Sequence, residues 1–322
     1  MSAVAAGTEA VIRVSDLSVR VGTVEAVHSV GFELTAGRRT GLIGESGSGK
    51  TLTALAVMGL LPDGLNASGR ALYREQDLLR LSEGSLCRLR GDRLGMIFQE
   101  PLSALNPVQK IGEQVAEPLR LHRGLGAREA RHRAGELLAR VQIPRAAEKL
   151  GQYPHELSGG QRQRALIAMA ISCSPEVLIA DEPTTALDVT VQAEVLRLLD
   201  RLVDEEGTTL LLITHDLPVV AGLCDRVLVM YGGHLVEEGG VGEVFDSPRH
   251  PYTLALLESI PVLDQELPGG RFRAIPGAVP GLGQFPSGCP FRNRCPRASE
   301  ICATMPALEG NGHRAACWHP IT

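Results

Sequence analysis

The sequence has no run approaching 18 consecutive apolar residues and no basic segment followed by an apolar one at its start. A membrane-spanning helix needs the first and a secretory signal needs the second. We therefore expect neither, and a chain that stays in the cytosol. An excess of one charge is also lacking, since 32 basic and 37 acidic residues give a net charge of -5. This near balance argues against broad attraction to nucleic acid or to an anionic membrane surface.

Cysteine is rare as well, with 7 in 322 residues, but its distribution is uneven. The residues from 261 onward contain 9 of the 20 prolines and 8 of the 36 glycines. We therefore predict a domain over 1–260 and a loop-rich region over 261–322 that something other than a large apolar core holds together. Four of the cysteines lie in this second region: Cys289, Cys295, Cys302 and Cys317.

Short apolar runs alternate with longer periodic segments in the first 260 residues. The run 40–43 predicts a strand that ends in a glycine-rich turn, and 52–60 predicts the helix after it. The runs 177–180 and 210–213 are too short for helices and predict buried parallel strands, with a crossover helix over 191–203 between them. Apolar positions repeat with helical spacing over 127–141, and we predict a mostly helical subdomain over about 101–172. The pattern indicates an α/β fold.

The first chemical motif lies between the predicted strand and helix and fits G-x-x-x-x-G-K-S/T in full. Glycines let successive backbone N–H groups surround phosphate oxygens, a lysine neutralises the β and γ phosphates, and a hydroxyl binds magnesium. This spacing therefore predicts a nucleotide phosphate site. The loop consists of Gly44, Glu45, Ser46, Gly47, Ser48, Gly49, Lys50 and Thr51.

Two further motifs carry chemistry. Asp181 and Glu182 end an apolar strand, where the first carboxylate can reach magnesium and the second can polarise a water. The segment Ser158, Gly159, Gly160 and Gln161 begins a helix predicted over 161–172. Its exposed N–H groups and hydroxyl at a positive helix end indicate a second anion site.

In this order the motifs resemble the nucleotide-binding subunit of an ATP-binding cassette (ABC) transporter. Gln99 resembles the Q-loop of that family, Ala186-Leu187-Asp188 its D-loop and His215 its switch histidine. The resemblance covers about residues 10–250. It implies a P-loop NTPase (RecA-like) core with a mostly parallel sheet, an antiparallel β subdomain and a helical subdomain, joined here to the small cysteine region.

The resemblance also implies an ATPase whose two subunits close head to tail on two ATP molecules. Lys50 and the amides of residues 44–49 would bind phosphates, and the segment 158–161 would act on the partner's ATP. Further implied roles are magnesium ligation by Thr51, Gln99 and Asp181, general base catalysis by Glu182, γ-phosphate and Glu182 positioning by His215, and a dimer contact by Asp188.

One position departs from the family pattern. The family usually stacks adenine on an aromatic residue about 29 positions before the lysine, and Val21 occupies that position here. We expect adenine to rest on an aliphatic surface with weaker base selectivity.

Within the family, the chain resembles the oligopeptide and dipeptide importers. The matching segments are Phe98-Gln99-Glu100-Pro101, His250-Pro251-Tyr252-Thr253 and Ile275-Pro276-Gly277. The resemblance implies peptide import from the cytoplasmic face of the membrane, with a second ABC ATPase subunit (a paralogue or a second copy), two permease subunits and an extracytoplasmic binding protein, and without nucleic acid. Nickel and sugar importers share much of this pattern and remain alternatives. A non-transport ABC ATPase acting on DNA or ribosomes is disfavoured, because only 57 residues separate Gln99 from Leu157.

The four clustered cysteines indicate metal ligation in a reducing cytosol. Zinc and iron–sulfur clusters both accept four thiolates, and unmetallated thiols remain a third interpretation. The absence of paired C-x-x-C segments counts mildly against zinc. The resemblance implies a 4Fe-4S cluster that stabilises a region with little core. The nearby His313 and His319 could substitute for a thiolate ligand, but we expect them to be solvent-exposed.

Overall fold

The computed structural model describes residues 9–185, 187–260 and 274–321. The strands are β1 (Ala10–Val21), β2 (Val24–Thr35), β3 (Arg39–Ile43), β4 (Leu65–Tyr73), β5 (Gln76–Asp77), β6 (Leu94–Ile97), β7 (Val177–Asp181), β8 (Thr209–Ile213), β9 (Arg226–Tyr231), β10 (His234–Gly240) and β11 (Arg314–Ala315). The helices are α1 (Lys50–Met58), α2 (Glu83–Leu89), α3 (Pro101–Ala104), α4 (Ile111–Arg123), α5 (Ala127–Arg140), α6 (Ala146–Lys149), α7 (Gly159–Ile171), α8 (Val189–Glu206), α9 (Leu217–Leu223), α10 (Val241–Asp246) and α11 (Pro251–Glu258).

The described residues divide into two compact units. The first unit comprises the residues up to Val11, Leu34–Arg38 and Arg80–Ile213, and the second comprises Ile12–Glu33, Arg39–Leu79 and the residues from Thr214 onward. No helix in the described part of the chain is both long and apolar enough to span a bilayer.

In the first unit, β7 runs parallel to both β6 and β8. All residues of β7 and β8 are buried, which explains why each is a continuous apolar run and not an alternating one. The two predicted strands and the crossover helix, observed as α8, are confirmed. The chain between β6 and β7 forms the helices α3 to α7, and the stripe predicted over 127–141 is observed as α5.

The second unit contains all or most of each remaining strand. β3 runs parallel to β9, β10 pairs antiparallel with β9, and β11 pairs antiparallel with β10. A separate four-stranded sheet has the order β2-β1-β4-β5, in which β4 runs antiparallel to both of its neighbours. The predicted strand over 40–43 and the helix after it are observed as β3 and α1. Parallel strands joined by helices, with an antiparallel sheet beside them, confirm the predicted α/β class.

The cysteine region contributes to an apolar core, contrary to expectation. Phe291 is 1% exposed and packs against Tyr231 and Tyr252, with ring centroids 5.2 and 5.3 Å away. Cys289 and Cys302 are buried in the same cluster. The described residues 274–321 are therefore held in part by aromatic packing.

Polar contacts of two buried acids also hold this region to β10. Glu237 is fully buried, and its carboxylate lies 2.7 Å from the His313 ring nitrogen. The same carboxylate accepts hydrogen bonds from the backbone N–H groups of Arg249 and His250. The expectation that His313 is solvent-exposed is wrong, because the tail places it against a buried carboxylate that needs a partner. The neighbouring carboxylate of Glu238 lies 2.6 Å from the Arg314 guanidinium.

Candidate functional site

The phosphate loop follows β3 and precedes α1 in the second unit. At Gly44, with φ 152°, an added Cβ would lie 2.1 Å from the carbonyl oxygen of Met230 in β9. Gly49, the residue before α1, has φ 98°, and an added Cβ there would lie 3.1 Å from Val27 Cγ2. A side chain would be strained at either position, so the loop requires glycine both for its turn and for its close packing.

The Lys50 side chain is buried inside the loop. Its Nζ donates to the carbonyl oxygens of Gly44 and Glu45, at 2.8 and 3.0 Å, and lies 3.4 Å from Ser48 Oγ. Thr51 is exposed in the first turn of α1. The arrangement places one cation and one accessible hydroxyl at the amino end of a helix whose first turn contains no acidic residue, which suits a phosphate group and a divalent cation.

Two contacts outside the motif hold this loop. The Glu45 N–H donates to the Tyr252 hydroxyl at 2.7 Å, and the Gly233 N–H donates to the Ser48 carbonyl oxygen at 3.1 Å. The sequence indicated Tyr252 only as part of a subgroup pattern and gave no role to the β9–β10 turn. No local sequence pattern marks the contact between Tyr252 and Glu45, because the two residues are 207 positions apart.

His215 is in the second unit, just after the end of β8. The N–H of the preceding residue, Thr214, donates to the carbonyl oxygen of Leu42 in β3 at 3.3 Å. The following residue, Asp216, caps α9 through Val219. His215 is therefore fixed on both sides and lies next to a residue anchored two positions before the phosphate loop.

The first unit brings Gln99 and Glu182 together. The Gln99 amide donates to Glu182 Oε2 at 3.1 Å, and the Thr185 hydroxyl donates to the same oxygen at 2.8 Å. Glu182 has φ 44°, a left-handed conformation that non-glycine residues adopt rarely and that is enriched at functional sites. Asp181, at the end of β7, is 2% exposed. Two hydrogen bonds and a backbone bond to Ile213 thus orient the carboxylate, and sequence reasoning missed Thr185.

The segment 158–161 forms the start of α7. The Ser158 hydroxyl accepts from the Gln161 N–H at 3.4 Å and the Gln161 side chain accepts from the Ser158 N–H at 3.3 Å, a reciprocal capping box. Ser158 and Gly159 are exposed, and the first turn of α7 contains no acidic residue. The helix start therefore presents a positive end to solvent.

Gly160 packs against the start of the next helix. An added Cβ at Gly160 would lie 2.7 Å from Val191 Cγ1 in α8. Asp188 caps α8 by accepting from the Val191 N–H at 3.0 Å, while Ala186 lies outside the described residues. Residues 158–161, Leu187 and Asp188 line one open pocket of about 820 Å³. The structure thus brings together two motifs that are about 30 residues apart in sequence.

The four tail cysteines line one small cavity in the second unit. Burial raises the pKa of the Cys289 thiol to about 11, and it also raises the pKa values of Cys295 and Cys317. In the part of the chain that the structure describes, no three His, Cys, Asp or Glu side chains are grouped so that they could hold a metal ion. The expected 4Fe-4S cluster therefore has no support from this arrangement.

Comparison with known proteins covers both regions of the chain. Residues 27–185 match the family "ABC transporter", and residues 236–302 match "Oligopeptide/dipeptide transporter, C-terminal region". The oligopeptide transport ATP-binding protein OppD of Escherichia coli K12 is 47% identical over 97% of this chain and 94% of its own length. The probable D,D-dipeptide transport ATP-binding protein DdpD of the same organism is 48% identical over 93% of this chain and 92% of its own length.

A solved structure agrees with these relatives. The dimeric post-hydrolysis state of the ATP-binding cassette MJ0796, bound to ADP and Pi, superimposes with a TM-score of 0.64 and 27% identity over 71% of this chain and 98% of that chain. This chain therefore belongs to the ABC transporter family, in the subgroup of oligopeptide and dipeptide transport ATP-binding proteins.

Proposed function

We propose that this chain hydrolyses ATP to drive the import of peptides across a membrane. The observation that carries the proposal is its 47–48% identity, over more than nine tenths of its length, to oligopeptide and D,D-dipeptide transport ATP-binding proteins. The similarity includes the C-terminal region, where the match is to a family of oligopeptide and dipeptide transporters. That match favours a peptide over nickel or a sugar as the cargo.

The phosphate loop would bind the triphosphate. Backbone N–H groups of Gly44, Glu45, Ser46, Gly47, Ser48 and Gly49 would surround phosphate oxygens, while Lys50 neutralises charge at the β and γ phosphates. A bound Mg²⁺ would supply positive charge that stabilises the phosphate charge developing during transfer. The residues suited to hold it are an exposed hydroxyl, an amide and a buried carboxylate: Thr51, Gln99 and Asp181.

Glu182 would take the proton from the attacking water. Its support is geometric, because Gln99 and Thr185 both donate to Oε2 and so fix the direction of the carboxylate. An oriented base raises the rate by typically 10² to 10⁴. His215 would contact the γ-phosphate and keep it aligned with this base.

The segment 158–161 would act on ATP held by a second ABC ATPase subunit, in a head-to-tail pair. The exposed Ser158 and Gly159 at the positive end of α7 support this role, as does the dimeric state of the structural relative. Gly160 and Gln161 complete the surface. Asp188 would lie at the contact between subunits, since it lines the same pocket.

The remaining partners follow from the importer role. Two membrane permeases would form the pathway, an extracytoplasmic binding protein would deliver the peptide, and this chain would lie at the cytoplasmic face of the membrane. The second ATPase subunit is either a paralogue or another copy.

Peptide-stimulated hydrolysis tests the proposal. The chain is purified with the permeases that co-isolate with it from membranes, placed in lipid vesicles, and assayed with its binding protein loaded with peptide, Ni²⁺ or a sugar. We expect ATP hydrolysis and peptide uptake to rise together with the peptide-loaded protein alone. Stimulation by Ni²⁺ or a sugar would reassign the cargo, and peptide uptake that does not depend on ATP hydrolysis would contradict the transport role.

We also propose a 4Fe-4S cluster on Cys289, Cys295, Cys302 and Cys317. The support is that all four thiols line one cavity. The described side chains are not grouped there as a metal site, so binding would require the thiols to move closer together. Cluster binding would require loss of the thiol protons, because the thiolate is the ligand.

Metal analysis tests this second proposal. Protein purified without oxygen is expected to contain about four iron and four sulfide per chain, and Cys302→Ser is expected to lose most of both. Cys87→Ser serves as the matched control, because Cys87 is an exposed cysteine of the first unit. Stoichiometric zinc, or no metal, would refute the cluster.

A further inference from the structure

A buried arginine from the cysteine region pairs with the only acidic residue of the phosphate loop. Arg294 Nη1 lies 2.7 Å from Glu45 Oε2, and Nη2 lies 3.2 Å from Oε1. This two-pronged geometry is the strong form of an arginine–carboxylate pair. The Arg294 side chain is 6% exposed and that of Glu45 is 25% exposed, so water screens the pair less than it screens surface pairs.

Other contacts fix the Arg294 guanidinium independently of Glu45. Its Nε donates to the Pro276 carbonyl oxygen at 2.7 Å, and Nη1 donates to the Tyr231 hydroxyl at 3.1 Å. The guanidinium carbon also lies 5.7 Å from the centroid of the Tyr231 ring and 5.9 Å from that of Phe291. Arg294 is therefore preorganised, and little side-chain entropy remains to be lost when it binds the carboxylate.

The contacts of Glu45 also fix the backbone of the phosphate loop. The Glu45 carbonyl oxygen accepts from Lys50 Nζ and from the Ser48 N–H, and its own N–H donates to Tyr252. With Arg294 on the side chain, every polar group of Glu45 has a partner. Two residues from outside the loop contact Glu45, namely Arg294 and Tyr252. Both come after β9, which is the last of the parallel strands in the sequence.

The cysteine region also supports the phosphate loop through the turn between β9 and β10. Phe285 and Pro290 pack against Gly232, where an added Cβ would lie 2.8 Å from the Phe285 ring. The next residue, Gly233, donates its N–H to the Ser48 carbonyl oxygen. The turn between β9 and β10 thus lies between the tail and the phosphate loop.

We infer that Arg294 is a positioning residue for nucleotide binding, through which the cysteine region sets the affinity of the phosphate loop for ATP. This inference rests on the proposed ATP site. The carboxylate of Glu45 lies in a loop that would receive a polyphosphate, and an unpaired carboxylate there would repel it. Arg294 both neutralises that charge and fixes the backbone whose N–H groups would bind phosphate.

Substitutions at both partners test the inference in the full-length protein. Arg294→Ala is expected to weaken MgATP binding about tenfold and to raise KM by a similar factor, with kcat within about twofold of wild type. Arg294→Lys keeps the charge but loses the two parallel hydrogen bonds to the carboxylate, and it is expected to weaken MgATP binding about threefold. Hydrogen exchange in the peptide containing residues 44–49 should be faster in both variants. Arg297→Ala is the matched control, since this arginine of the same tail donates to the carbonyl oxygens of His319 and Pro320 and not to the loop.

The double variant Glu45→Ala/Arg294→Ala separates neutralisation of the Glu45 charge from general destabilisation. It removes the uncompensated carboxylate and keeps the loop amides, so binding is expected to return to within about threefold of wild type. A purely structural role predicts instead that the double variant is as weak as Arg294→Ala. That result, or unchanged affinity in Arg294→Ala, would overturn the inference. If Arg294→Ala does not fold, wild-type affinity in Arg294→Lys would do so. A wild-type protein that binds no MgATP would contradict the proposed function itself.

Discussion

Glu182→Gln is expected to bind MgATP with wild-type affinity and to hydrolyse it at least about a hundredfold more slowly. Glutamine has the same length and can still accept the hydrogen bonds from Gln99 and Thr185 through its amide oxygen, so the local structure should persist. It cannot take a proton from water at neutral pH. The two measurements are nucleotide affinity by equilibrium binding and phosphate release by the assembled complex.

Glu148→Gln is the matched control for this substitution. Glu148 is an exposed acid of α6 in the same unit, and its pair with Arg145 at 3.3 Å is a surface contact of little energetic value. Its turnover should equal that of wild type. If Glu182→Gln also retained near wild-type turnover, another group would have to supply the base.

Gly160→Val is expected to leave MgATP affinity unchanged and to reduce hydrolysis by the assembled complex at least about a hundredfold. An added Cβ already meets Val191 at 2.7 Å, so a branched side chain must displace the first turn of α7 from α8. That movement would misplace the N–H groups offered to the partner's ATP. The phosphate loop of the same chain belongs to the other unit, which explains why binding should survive.

Gly84→Val provides the comparison for this second substitution. Gly84 lies in α2, and an added Cβ there meets nothing within 4 Å. Hydrolysis should remain near the wild-type rate in this variant. Full activity in Gly160→Val would show that the segment 158–161 is only a helix cap and would remove the main support for the head-to-tail arrangement.

Sequence patterns predicted the elements whose signal is local. β7 and β8 were predictable because buried parallel strands are short apolar runs, and α8 because its apolar residues repeat with helical spacing. The phosphate loop was predictable for a different reason, since its glycines, lysine and threonine occupy fixed positions within one segment of eight residues. In each case the residues that define the feature lie within about 20 positions of one another.

Contacts between distant segments could not be predicted in this way. Arg294 and Glu45 are 249 residues apart, and neither has a neighbouring pattern that marks it as half of a pair. His313 was misjudged for the same reason, because its partner Glu237 lies 76 residues earlier in the chain. The motif analysis indicated which residues carry the chemistry, while the residues that orient them, such as Thr185 and Tyr252, appear only in three dimensions.

The two adjacent carboxylates of β10 bear on how this polypeptide can be shortened. Glu237 is wholly inaccessible to solvent and Glu238 nearly so, and residues beyond 310 supply a ring nitrogen to one and a guanidinium to the other. A chain that stopped at the end of α11 would keep the Arg226 contact to Glu238 and the Arg249 and His250 N–H bonds to Glu237, but each acid would lose its partner from the tail. Removing one partner of a buried charged group is costly. The described residues 274–321 therefore belong to the unit that holds the phosphate loop, and a shortened cassette would leave the contacts of both acids incomplete.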